Sequence, residues 1–138
     1  MDGNWIEIKR GDVLAHSARL HVTLNPKGHI VMNRYTHLAL GEPAAFSVLY
    51  DTKNNRIGLR PARKEAPNAY PVLRAHLNSA MVRADRLLRE QRVVLPLTVQ
   101  FDDAEVDENG ILVLDLRTAN PSRRAIAWGK RGKVRGER

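Results

Sequence analysis

The chain has 138 residues, of which 43% are hydrophobic, and its 23 Lys and Arg outnumber its 15 Asp and Glu to give a formal net charge of +8. It has no cysteine, which excludes disulfides, thiolate metal sites and cysteine nucleophiles. No apolar run approaches the roughly 18 residues of a transmembrane helix, so we expect a cytoplasmic protein without a membrane span.

The positive charge is concentrated at the C-terminal end of the sequence. Residues 122–138 contain seven basic residues and one glutamate, whereas the rest of the chain is nearly neutral. An excess of this kind raises the local concentration of polyanions, and a flexible basic arm can follow a nucleic-acid backbone. A disordered arm that only improves solubility explains the same composition. The candidate phosphate contacts in this tail are Arg123, Arg124, Lys130 and Arg131.

The first predicted elements are strands. Residues 5–9 and 19–24 alternate apolar and polar side chains, as half-buried strands do. Residues 25–28 read Asn-Pro-Lys-Gly, which places Pro and Gly at the positions that a type I turn favours. This turn leads into a second strand at residues 29–32.

A short helix follows this second strand. Asn33 is a favourable N-cap residue for residues 34–40, because its side chain can accept from the free amides of the first turn. Gly41 is the usual residue for a left-handed C-terminal cap, and Pro43 prevents the helix from resuming.

A hairpin comes next. Residues 45–50 and 56–60 flank the polar segment 51–55, whose residues tolerate turn geometry. Residues 61–71 contain three prolines and a charge cluster, which is typical of a linker.

The second half of the chain predicts an extended segment at 72–77 and a helix that begins at Asn78 or Ser79. The apolar residues of this helix recur at spacings of three and four: Ala80, Met81, Ala84, Leu87 and Leu88. Its outer face carries Arg83, Arg86 and Arg89, which we interpret first as a solvated surface. Strands at 97–101 and 111–116 then form a hairpin, with a turn at 108–110.

Both halves therefore have the order strand, helix, hairpin. Aligning residues 28–31 with 79–82 suggests a repeat, and that repeat would instead make Met81 and Val82 a strand and start the helix nearer Ala84. We expect an α+β protein with two β-rich strand–helix–hairpin units. The predicted divisions are a unit at 1–61, a Pro-rich linker at 62–71, a second unit at 72–120 and a basic tail at 121–138.

Residues 21–61 resemble the AbrB-type swapped-hairpin DNA-binding proteins. The similarity lies in the strand–Gly-turn–strand of residues 21–33, the short helix ending Ala-Leu-Gly at residue 41 and the hairpin ending at Pro61. A doubled unit, with the second copy at 72–116, is similar to the MraZ transcriptional regulators. The resemblance implies a homo-oligomeric DNA-binding protein whose DNA contacts include Lys27, His29 and Arg34.

The sequence lacks the common motifs of hydrolytic catalysis and of nucleotide binding. A glycine-elbow nucleophile, a phosphate loop and a dinucleotide fingerprint are absent, and the five histidines lack the spacing of a zinc site. The acidic segment 102–108 is interpreted as a solvated loop, or as a surface for the basic tail of a neighbouring subunit. We expect neither enzymatic activity nor a cofactor, metal or small-molecule substrate.

Two interpretations of function follow from these residues. The first is a non-enzymatic, DNA-binding protein like a transcriptional regulator, which contacts phosphates without an identifiable base-reading helix. The second is a non-enzymatic module for oligomerisation or for binding a protein partner. A DNA-binding protein should collect its basic residues on one face, whereas an assembly protein should have an apolar face between subunits.

Overall fold

A computed structural model describes residues 5–6 and 19–122. Two α-helices lie in this part of the chain, α1 (Arg34–Ala39) and α2 (Asp85–Glu90), together with a short 3-10 helix at His76–Asn78. The strands, in chain order, are β1 (Val22–Leu24), β2 (His29–Met32), β3 (Ala45–Asp51), β4 (Arg56–Ala62), β5 (Ala69–Pro71), β6 (Leu73–Arg74), β7 (Ala80–Arg83), β8 (Val99–Gln100), β9 (Glu105–Val106), β10 (Leu112–Asp115) and β11 (Asn120–Pro121). The strand predicted at 5–9 lies largely outside the described residues.

The strands form two antiparallel sheets. The six-stranded sheet has the order β11-β8-β1-β2-β7-β6, and the five-stranded sheet has the order β5-β3-β4-β10-β9. Each sheet combines strands from the first and second halves of the chain. Alternate residues of β1, β2, β7 and β10 are buried, and together with residues of β3, β4 and α2 they form one apolar cluster.

The expected α+β class is wrong, because the protein is mostly β. Each α-helix has six residues, so none in the described part of the chain has the length and apolar character to cross a membrane. Four of the strands have only two residues. Two of these strands, β9 and β11, were not predicted, because two residues give no alternation that a sequence pattern can detect, and the sequence therefore underestimates the β content.

The second strand–helix–hairpin unit does not form as expected. Of the two strands predicted to make its hairpin, β8 pairs with β1 and β11 in the six-stranded sheet. The other, β10, pairs with β4 and β9 in the five-stranded sheet. The two strands are therefore in different sheets, because each has a partner from the first half of the chain.

The helix that the apolar spacing predicts to begin at Asn78 or Ser79 is also wrong in its first turn, whereas the strand at Met81 and Val82 that the repeat suggests is confirmed. Residues Ala80–Arg83 are β7, and α2 begins only at Asp85. Ala80 and Val82 are fully buried opposite Met32 and Ile30 of β2. Pairing with a central strand thus outweighs the helical spacing of the apolar residues, and the β-branched Val82 is favourable in a strand.

Predictions based on local chemistry are confirmed. The turn at 25–28 is present, with the amide of Gly28 donating to the carbonyl of Asn25 at 2.9 Å. Asn33 caps α1, since its side chain accepts from the amide of Thr36 at 2.9 Å. The hairpin β3–β4 pairs in register from Ala45 with Ala62 to Asp51 with Arg56.

A segment of strand, helix and cap recurs at a spacing of 51 residues. Strand β2 begins at 29 and β7 at 80, while α1 begins at 34 and α2 at 85. The caps correspond as well: the amide of Glu42 donates to the carbonyl of His37, and the amide of Val93 donates to that of Leu88, both at 2.9 Å. The correspondence ends after these caps, where β3 and β8 enter different sheets.

Strands β2 and β7 pair directly, and this pairing continues into a close contact at Gly28. The amide of Ala84 donates to the carbonyl of Gly28 at 2.8 Å. A Cβ atom on Gly28 would lie 2.5 Å from the Cα of Asp85 and 2.8 Å from its nitrogen. Gly28 also has a positive φ of +90°. The β1–β2 turn can therefore pack against the start of α2 only without a side chain at residue 28.

Replacing Gly28 with Ala should lower the free energy of unfolding by about 3 kcal/mol, because left-handed strain and the clash with Asp85 both contribute. The matched control is Gly110→Ala, since Gly110 has a φ of +77° but nothing within 4 Å of the added Cβ. It should cost only about 1 to 2 kcal/mol. Urea unfolding measures both values, and equal losses of stability would show that the contact with α2 is unimportant.

Candidate nucleic-acid interface

The β1–β2 turn places Lys27 at an exposed position. The side-chain Oδ1 of Asn25 accepts from the amide of Lys27 at 3.0 Å and from the amide of His29 at 2.9 Å. This Asx geometry holds the backbone of the turn. Both Pro26 and Lys27 are exposed at its tip.

An open groove of about 500 Å³ lies between this turn, α2 and the segment that follows α2. Its polar wall contains Lys27, Arg89 and Arg92 together with Asp85, and Leu88 contributes from the core. The remaining lining residues are apolar, namely Pro26, Val93, Val94 and Leu95. We call these nine residues the basic groove. It combines three cations and one carboxylate with an apolar surface.

The cations of the groove differ in their partners. Arg89 donates to the Asp85 carboxylate at 3.2 Å, as an exposed pair one helical turn apart. Lys27 and Arg92 form no ion pair with any of residues 19–122. Arg92 comes directly after Gln91, the C-cap of α2, and has a positive φ of 52°, so its position depends on how this helix ends. An anion entering the groove would meet Lys27 and Arg92 without having to displace a carboxylate.

The rest of the surface around α2 is also positively charged. Arg83 ends β7 beside the helix, and Arg86 bonds to Glu90 at 2.7 Å. This hydrogen bond raises the pKa of Arg86 above its ordinary value. Across residues 83–92 and Lys27, five cations stand against two carboxylates.

The structure separates the site residues that the sequence predicted. Lys27 lines the groove, and the half-buried His29 is paired across the sheet with Arg83. Arg34 follows the opposite end of β2, a strand of four residues or about 13 Å. The tail candidates Arg123, Arg124, Lys130 and Arg131 lie outside the described residues.

Sequence reasoning missed Arg92 as a site residue. Its proximity to Lys27 depends on the contact between Gly28 and Asp85, which joins segments far apart in the chain. The available signal was the dense run of arginines at 83, 86, 89 and 92. Because Arg83, Arg86 and Arg89 were interpreted as the outer face of a longer helix, the proximity of Arg92 to the β1–β2 turn was not predicted.

A second group of charges, near the β3–β4 turn, contains two ion pairs. Asp51 accepts from the Asn54 side chain at 2.9 Å and from Arg56 at 2.9 Å and 3.1 Å. Asp115 is paired with Arg117 at 3.2 Å. The hydrogen bonds from Asn54 and Arg56 hold the pKa of Asp51 well below its ordinary value, and those from Arg117 lower the pKa of Asp115. These two arginines are therefore poorer candidates for binding an external anion.

The described residues contain no cluster of three or more His, Cys, Asp or Glu side chains suited to a metal ion. Comparisons of the chain with protein-family models, with curated proteins and with solved structures found no match.

The lowered pKa of Asp51 predicts that the stability of the protein depends on pH in the acidic range. A carboxylate whose pKa is lowered by folding stabilises the protein above its unfolded pKa of about 3.9, and this contribution is lost as the pH falls toward the folded pKa. Asp51→Asn should therefore reduce the loss of stability between about pH 4 and pH 2. Chemical unfolding at several pH values measures the slope.

Asp103→Asn is the control for this prediction. Asp103 is exposed and has no hydrogen bond or ion pair with the described residues. Its replacement should leave the slope close to that of the unchanged protein. Identical slopes for Asp51→Asn and Asp103→Asn would contradict the role of the bonds from Asn54 and Arg56.

Proposed function

We propose that this protein is a non-enzymatic DNA-binding protein, like a transcriptional regulator, that contacts phosphates through the basic groove. The observation that carries the proposal is the meeting of Lys27 and Arg92 in one groove, with neither cation paired to a carboxylate among residues 19–122. Each contact with a phosphate releases condensed counterions, which makes binding favourable and dependent on salt. Such a protein would act in the cytoplasm, with DNA as its partner.

The resemblance of residues 21–61 to AbrB-type proteins supports the same proposal, because the matching segment includes the turn that carries Lys27. His29 would contribute at the edge of the groove, beside Arg83. Arg34 would touch the DNA only if the nucleic acid extends along β2 to its other end.

Sequence-independent contact is the expected mode of binding. Phosphate contacts position a protein on DNA, whereas hydrogen bonds to the edges of bases specify a sequence. Of the described helices, α2 adjoins the groove, and its six residues include two exposed ion pairs along its own axis. We therefore assign no base-reading residue, and selectivity would depend on residues other than Lys27 and Arg92.

The second candidate function is a module for oligomerisation. The observation that favours it is the outer face of α1, where Tyr35 and Leu38 are one turn apart and 43% and 46% exposed. Exposed apolar side chains of this size are more usual at interfaces than on a free helix. The two candidate functions use different surfaces. Substitutions in the basic groove and on the outer face of α1 therefore distinguish them in binding experiments.

Neutralising the groove cations should weaken binding to random duplex DNA. We expect Lys27→Gln combined with Arg92→Gln to flatten the dependence of log K on log salt by about 0.9 for each phosphate that the protein no longer neutralises. Fluorescence anisotropy across a salt series measures both the affinity and the slope. Lys53→Gln removes an exposed cation of the β3–β4 turn, outside the groove, and should leave the slope unchanged.

Two further variants locate the rest of the interface. Arg34→Gln tests the far end of β2. A full-length chain with Gln at 123, 124, 130 and 131 tests the basic tail. If only the tail variant loses affinity, the groove is not the binding site, and if the unchanged protein fails to bind at low salt, the oligomerisation function is the better conclusion.

A further inference from the structure

The acidic segment 102–108, called here the acidic loop, is the counterpart in charge to the basic groove. It contains five carboxylates and no basic residue. Its only regular element is β9, which forms one edge of the five-stranded sheet. Both residues of β9, Glu105 and Val106, are exposed. The loop therefore presents carboxylates around an accessible aliphatic side chain.

Two of the five carboxylates have structural roles within the chain. Asp107 accepts from the amides of Asn109 and Ile111 at 2.8 and 2.9 Å, which holds the turn before β10. Asp102 accepts from the side chains of Gln100 and Asn120 at 2.7 and 2.8 Å.

The other three carboxylates are available to a partner. Asp103, Glu105 and Glu108 are exposed and have no hydrogen bond or ion pair with the described residues. Because Asp102 and Asp107 hold the loop on both sides of Glu105, its carboxylates are presented on a defined backbone.

The basic groove offers the complementary chemistry. Lys27 and Arg92 can pair with carboxylates, while Val94, which is 87% exposed, offers apolar contact. A segment that alternates acidic and aliphatic side chains suits both features, and residues 103–107, which read Asp-Ala-Glu-Val-Asp, have that alternation. Complementary charges of this kind guide association and fix its orientation.

The loop and the groove do not meet within one molecule. The groove is lined by residues 26–27, 85, 88–89 and 92–95, and none of them belongs to the acidic loop. We propose that the acidic loop of one molecule docks in the basic groove of a second copy. A two-fold pair in which each loop docks in the groove of the other molecule would occupy both surfaces, whereas a single contact would leave one groove and one loop free. This inference does not depend on DNA binding. A docked loop would nevertheless occupy Lys27 and Arg92, the two cations proposed to contact phosphates.

Sedimentation velocity of the full-length protein tests the proposal with two variants, in which charged side chains of the groove or of the loop are replaced by side chains of the opposite charge. The groove variant carries Lys27→Glu and Arg92→Glu, and the loop variant carries Glu105→Lys and Glu108→Lys. We expect the unchanged protein to self-associate at about 50 mM salt and to dissociate at about 500 mM, where the screening length is far shorter. Either variant alone should associate at least about tenfold more weakly.

Mixing the two variants should restore association at low salt. The acidic loop of the groove variant can dock in the unchanged groove of the loop variant. The mixture should therefore form complexes that contain both variants in a 1:1 ratio. A control with Lys53→Glu and Lys64→Glu, outside the groove, should associate like the unchanged protein. Circular dichroism establishes that every variant is folded.

Three results would overturn the proposal. The first is an unchanged protein that stays monomeric at low salt and high concentration. The second is self-association that neither variant weakens. The third is a mixture of folded variants that does not associate. None of these results bears on duplex DNA binding, which the salt series measures separately.

Discussion

The pairing of β2 with β7 is the interaction on which the rest of the structure depends. Four residue pairs, from His29 with Arg83 to Met32 with Ala80, join the two halves of the chain in the middle of the six-stranded sheet. Because the strands are antiparallel, α2 leaves the pair at the end where the β1–β2 turn enters it. This pairing is what brings Lys27 and Arg92 to the same groove.

The two segments that recur at a spacing of 51 residues have the same backbone arrangement but different exposed side chains. His37 and Leu88 occupy corresponding buried positions, and the caps after them share the same hydrogen bonds. On the outer faces, however, Tyr35 corresponds to Arg86 and Leu38 to Arg89. Buried positions are constrained by packing, whereas exposed positions are free to differ. The chain therefore has an apolar helix face at one end of β2 and a charged one at the other.

The sequence predicted those features that neighbouring residues determine. The turn at Gly28, the cap at Asn33 and the hairpin β3–β4 all depend on side chains within a few positions of one another. The strand β7 and the separation of β8 from β10 depend instead on partners far away in the chain, and local spacing misassigned them. The same distinction applies to the site. Lys27 was found from its turn, while Arg92 required knowledge of the contact between Gly28 and Asp85.

The distribution of ion pairs, more than the total charge, determines where this protein can hold an anion. Exposed pairs contribute only about 0 to 1 kcal/mol each, so Arg89 can exchange Asp85 for another anion at little cost. Asp85 remains in the groove after such an exchange and repels a ligand that is negatively charged along its whole length. A continuous phosphate backbone meets this repulsion, whereas a peptide can place an aliphatic residue there. Asp85 would thus disfavour the continuous phosphate backbone of the proposed DNA ligand relative to a protein segment that places an aliphatic residue beside it.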